Sequence, residues 1–131
     1  MTKDRGTGGF TLIELLLVVA VIGILAAIGF AVYSSTQQSA RIARAQADAR
    51  VIATAASHYL AHTGTVPLTV NALLVTVSNA MGQTAGPFLA SVPSPPAGGS
   101  PSWSAYSYVP DTTAGTFQIT ATGDGTTVTV P

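Results

Sequence analysis

Eighteen consecutive residues, Leu15 to Val32, carry no charge, and twelve of them are Leu, Ile, Val or Phe. No other feature limits the chain as strongly. At about −0.3 to −0.6 kcal/mol for each such residue, the run contributes on the order of −4 to −7 kcal/mol toward insertion in lipid. As a helix rising about 1.5 Å per residue it spans roughly 27 Å, close to the hydrocarbon thickness of a bilayer. The run predicts a transmembrane helix.

Its flanks orient it. Lys3 and Arg5 precede it, with Asp4 between them, and favour a cytoplasmic N-terminus. Ser34, Ser35 and Thr36 follow, with Ala31 nearby. That composition leaves open an ordinary secretory signal cut after the hydrophobic run. Only 8% of the residues are charged and the net charge is zero, so no field is present to attract nucleic acid. With no cysteine there are no disulfides, thiolate zinc sites or Cys nucleophiles. The length, 131 residues, suits one domain.

Helical character continues beyond the apolar run. No proline occurs before Pro67, and Ile42, Ala45, Ala49, Ile52, Ala56 and Tyr59 recur at steps of three and four residues. That spacing draws an apolar stripe down one helix face. A helix from Thr11 to Ala61 would be about 75 Å long, and Thr63-Gly64 with Pro67 beyond should stop it. Val70, Leu73, Leu74, Val77 and Met81 fit a short amphipathic helix over 68–81, although its valines and threonines would also tolerate a strand. Five prolines between Gly86 and Pro101 predict loop. Three alternating runs, 105–109, 116–121 and 127–130, are separated by turn chemistry at 111–115 and at Gly123-Asp124-Gly125. They predict a small antiparallel meander carrying Tyr106, Tyr108, Phe117 and Ile119 onto the stripe of the long helix. The expected class is α+β: a long N-terminal helix, half membrane span and half amphipathic, packed against a small sheet.

The head of the membrane helix is the most informative stretch. In Gly9-Phe10-Thr11-Leu12-Ile13-Glu14 a carboxylate stands inside an apolar helix. Such a group is costly and marks a functional site with a partner to be named, unless it lies close enough to the interface to be solvated. Gly9 to Glu14, with the apolar run to Ile28, resembles the N-terminal signature of type IV prepilins and type II secretion pseudopilins. The resemblance implies cleavage by prepilin peptidase between Gly9 and Phe10, N-methylation of Phe10, and pairing of Glu14 with the N-terminal amine of a neighbouring subunit. It also implies a single-pass protein of the bacterial inner membrane, handled there by an assembly machinery. From there it enters a homo-oligomeric helical filament, either an extracellular pilus or a periplasmic pseudopilus. The corresponding regions are a leader over 1–9, a polymerisation helix over 10–33, an amphipathic helix half over 34–62 and a head over 63–131. Gly23 and Gly29, with nearby alanines, leave room for close helix packing. Many type IV pilins have a proline where this chain has Ala31, and the melting of the helix associated with that proline is not expected here.

The Tyr59-to-Pro67 segment and the order Gly86-Pro87-Phe88, Trp103, Phe117 to Ile119 and Gly123-Asp124-Gly125 are similar to major pseudopilins, in which a final loop holds calcium. Here Asp111 and Asp124 are the only carboxylates of that region, too few for a hard cation that takes six or more oxygens, so no metal or other cofactor is expected. His58 and His62 share a helix face but have no third ligand in sequence and read as exposed helix-end residues. Arg41, Arg44 and Arg50 form a weak basic face, read as solvated charge or subunit contact rather than as a DNA surface. No serine stands in a nucleophile elbow, so an enzyme is not expected. A minor pilin acting as an adhesin or DNA-uptake module is the alternative to a major-type subunit.

Overall fold

The computed structural model describes residues 9–131; the side chain of Ala31 is left aside. Helix α1 spans Leu12–Thr63. The chain divides into two compact units, one ending at Gln37 and the other running from Gln38 to Pro131.

In the first unit, α1 is helical through Gly23, Gly29 and Ala31. Its apolar side chains are exposed. The helix is long and apolar enough to cross a membrane.

The second unit holds the core. Ala45, Ala49, Ile52 and Ala56 of α1 are fully buried and share one cluster with Leu73, Leu89, Trp103, Ile119, Ala121 and Val128. Ile42 and Tyr59 pack at its margin, as do Tyr106, Tyr108 and Phe117. The expected stripe is therefore the face that the sheet covers. Alanines on the helix side suit this arrangement, because small side chains bring a sheet close without overpacking.

Strands β3 (Ser107–Asp111), β4 (Thr116–Gly123) and β5 (Thr126–Val130) form an antiparallel meander in sequence order. Tyr108, Ile119 and Val130 fall in one cross-strand row, so their side chains reach the same face. The Tyr108 and Phe117 rings, diagonal neighbours, stack with centroids 5.8 Å apart. Between β4 and β5 only Asp124 and Gly125 turn the chain, with φ of +51° and +72°. Positive φ at both positions gives the hairpin turn whose twist matches the strands.

The expected helix over 68–81 does not form. Val70–Leu74 is a single 3-10 turn, and β1 (Val77–Ser78) pairs with β2 (Thr84–Ala85) in a second small sheet. The Leu73 carbonyl accepts the amides of Phe88 and Leu89, at 2.9 and 3.0 Å, instead of a continuing helix. Asn79 then turns the chain: its Oδ1 accepts the amides of Met81 and Gln83. The expected end of α1 does form, with the Gly64 amide closing on the Leu60 carbonyl at 2.8 Å.

Candidate functional site

Two places gather chemistry, one in each unit. At the start of α1, Thr11 and Glu14 bond reciprocally. The Glu14 carboxylate Oε2 accepts the Thr11 amide and the Thr11 hydroxyl, each at 2.9 Å, while the Glu14 amide donates to Thr11 Oγ1 at 3.3 Å. This is a capping box: residue N-cap and residue N3 each satisfy an amide the helix leaves open. Phe10 stands immediately before it, 89% exposed, with Gly9 exposed beside it. Along the following helix, a Cβ added at Gly23 or Gly29 would meet nothing within 4 Å. The glycines are open dents in an uncovered apolar surface.

The second place is Asp124. Its side chain is only 4% exposed. Arg41 approaches edge-on, donating from Nε to Oδ2 at 2.7 Å and from Nη2 to Oδ1 at 3.0 Å. Trp103 Nε1 donates to Oδ2 at 3.0 Å and the Ser100 amide to Oδ1 at 3.2 Å. The Gln38 side-chain amide reaches the Asp124 carbonyl at 3.1 Å. The Arg41 hydrogen bonds, opposed by desolvation and aided by Trp103 and Ser100, hold the carboxyl down to about 2. Gly123 makes this cluster sterically feasible: a Cβ there would collide with the Trp103 ring.

These contacts engage the carboxylates of the head. Both Asp124 oxygens face donors, one of them a guanidinium that repels a metal ion. Asp111 Oδ1 accepts the amides of Thr113 and Ala114. Among the described residues no group of three His, Asp or Glu side chains comes together. Nor do the arginines form a basic face: Arg41 binds Asp124, and Arg44 lies 3.8 Å from Asp48. His58 is exposed, whereas His62 is half-buried and donates from Nε2 to the Gln83 carbonyl at 3.0 Å, pinning the β1–β2 hairpin.

Residues 4–30 match the family described as the prokaryotic N-terminal methylation motif. The chain carries the type IV prepilin and pseudopilin signature. No curated protein and no solved structure matches it. The prepilin signature marks a structural family, and it implies processing by prepilin peptidase and filament assembly in general. With the exposed apolar part of α1 it points to membrane anchoring. The expected leader over 1–9 lies outside the described residues except for Gly9, and Lys3, Asp4 and Arg5 with it.

Within this prepilin-like chain, reading the residues alone singled out Glu14 but missed its partner Thr11. The signal was present: Thr-x-x-Glu directly before an apolar run spells a capping box. It also missed the partnership of Arg41 with Asp124, for which no local pattern exists.

Proposed function

We propose that this chain is the structural subunit of a type IV pilus-like filament, made as a precursor with a leader over residues 1–9. Prepilin peptidase cuts between Gly9 and Phe10 and methylates the Phe10 amine. Removing nine of the 131 residues leaves 122. Residues 10–33 first anchor the subunit in the inner membrane and then polymerise it, residues 34–62 form the helical spine, and residues 63–131 complete the head. The chain acts as a building block and not as an enzyme.

The observation that carries this reading is the apolar part of α1 in the first unit, whose described large side chains are exposed and which carries one carboxylate at its head. Lipid covers such a surface before assembly and neighbouring helices cover it afterwards. The Glu14 charge then has a role: an opposite charge at 4 Å in an effective dielectric near 20 is worth about 4 kcal/mol, and cleavage creates such a charge at Phe10. Glu14 pairs with the Phe10 amine of a neighbour, and Gly23 and Gly29 admit close helix contact. The pseudopilin order of residues in the head favours, as a second reading, a periplasmic pseudopilus of type II secretion.

Intact-mass measurement of sheared filaments tests the processing. The expected species begins at N-methylated Phe10. Filaments that retain Met1, or that begin after Ala31, overturn it.

A further inference from the structure

We propose that Arg50 of one subunit pairs with Asp111 of a neighbouring copy, whose β3–β4 turn seats in the groove beside Arg50. The proposal rests on the filament reading and names a contact between heads, separate from the apolar helices.

Charge points to it. The unit from Gln38 to Pro131 has three arginines, Arg41, Arg44 and Arg50, and three acids, Asp48, Asp111 and Asp124. Two pairs close within the subunit, Arg41 with Asp124 and Arg44 with Asp48. Among the described residues this leaves one cation, Arg50, and one anion, Asp111, each exposed and without an opposite charge. In a head this poor in charge, the two are opposite in sign and each lacks an ion pair within its own subunit.

Shape agrees with charge. Arg50 edges a groove of about 320 Å³ lined by Val51, Thr54, Ala55, His58 and Phe88. Val51 is 51% exposed there. Asp111 opens a turn of two threonines, an alanine and a glycine, all exposed. Its Oδ1 already binds the amides of Thr113 and Ala114, so the turn is held in one shape before any contact. Thus a preorganised knob with small methyls and one acid is matched to a shallow, mainly apolar groove edged by one guanidinium, with the His58 imidazole also in its lining. Preorganisation reduces the ordering cost of such a contact.

Symmetry gives the consequence. The groove on α1 and the turn on the sheet are different surfaces, so the contact is heterologous. A heterologous contact that does not close on itself generates an open helical array.

The chain has no cysteine, so Arg50→Cys and Asp111→Cys create the sole thiols. The full chain carrying both is assembled in cells, and sheared filaments are treated with a short bismaleimide. A ladder of dimers, trimers and longer species is expected, whereas filaments of either single variant should stay monomeric on a denaturing gel. Filaments of the double variant that remain monomeric overturn the contact while leaving the filament reading intact. Single variants that cross-link to themselves also overturn it, since they show like surfaces meeting. Failure of the unaltered chain to form filaments removes both readings and is seen before any substitution is made. Should the cysteine variants not assemble, Asp111→Asn keeps the turn's acceptor and removes only the charge. A several-fold fall in filament yield is expected, with leader removal and membrane level unchanged; an unchanged yield overturns the pairing.

Discussion

Arg41 and Asp124 lie 83 positions apart in the chain and meet through two parallel hydrogen bonds of 2.7 and 3.0 Å. The contact joins α1 to the β4–β5 turn, and Trp103 and Ser100 bind the same carboxylate. A bidentate guanidinium–carboxylate pair fixes direction as well as distance, which a lysine would not do. The turn is thereby held against the helix.

This pair sets an acid limit on the head. The Asp124 carboxyl is depressed in the folded state, so its contribution is fully present above the ordinary carboxylate value of 3.8 and is lost as pH falls through about 2. Asp124→Asn should lower the melting midpoint of the full chain in detergent at neutral pH. It should also flatten the decline of that midpoint with acid. Parallel acid profiles for the two proteins would show that the pair does not govern this limit.

The core prediction contrasts neighbours on α1. Ile52 is fully buried, and Ile52→Ala should cost about 2–5 kcal/mol by leaving a cavity among the alanines and the sheet. Val51→Ala, one position away and half exposed, should change subunit stability by no more than about 0.5 kcal/mol. Chemical denaturation of the two variants in the same detergent reads the difference; equal losses would contradict the assignment of the buried face.

Two tyrosines should respond in opposite directions. The Tyr106 hydroxyl donates to Asp48 Oδ2 at 3.0 Å, and burial followed by this bond pushes its ionisation up. Tyr106→Phe should cost about 1 kcal/mol. The Tyr108 hydroxyl is buried without a hydrogen-bond partner, and burial raises it to about 12. Tyr108→Phe removes an unsatisfied polar group and should leave stability unchanged or raise it. Thermal melts of both variants check the sign, and a larger loss from Tyr108→Phe would reverse the reading.

The observed cap and the proposed amine pairing ask different things of Glu14. As the N3 residue of the capping box it needs only an acceptor, which Gln supplies; the proposed pairing with a cleaved amine would need its charge. Glu14→Gln should preserve leader removal and membrane level yet sharply reduce filament yield, because breaking a buried pair from one side typically costs about 3–5 kcal/mol. Normal filaments from Glu14→Gln would leave the cap as its only duty. Loss of the protein from the membrane would instead assign it to insertion.

Much of this was legible in one dimension. The apolar run, the stripe from Ile42 to Tyr59 and the three alternating segments are periodic signals, and each emerged as the expected element with the expected face. The failure at 68–81 is instructive. Val70, Leu73, Leu74 and Val77 satisfy a helical period, but a segment this short is decided by its partners. Leu73 found Phe88 and Leu89, and Val77 found Ala85.

The sequence by itself determined the apolar helix, the prepilin signature at its head, the capping box of Thr11 with Glu14 and the order of the meander. These depend on residues within a few positions of one another, where helix and strand geometry translate spacing directly into proximity. Tertiary structure alone decided which arginine neutralises which aspartate. That choice depends on the rotation of α1 beneath the sheet and on the turn that aims Asp124 at Arg41. Closure of that pair, together with the approach of Arg44 to Asp48, left Arg50 and Asp111 as the arginine and the aspartate of this unit without an ion pair among the described residues.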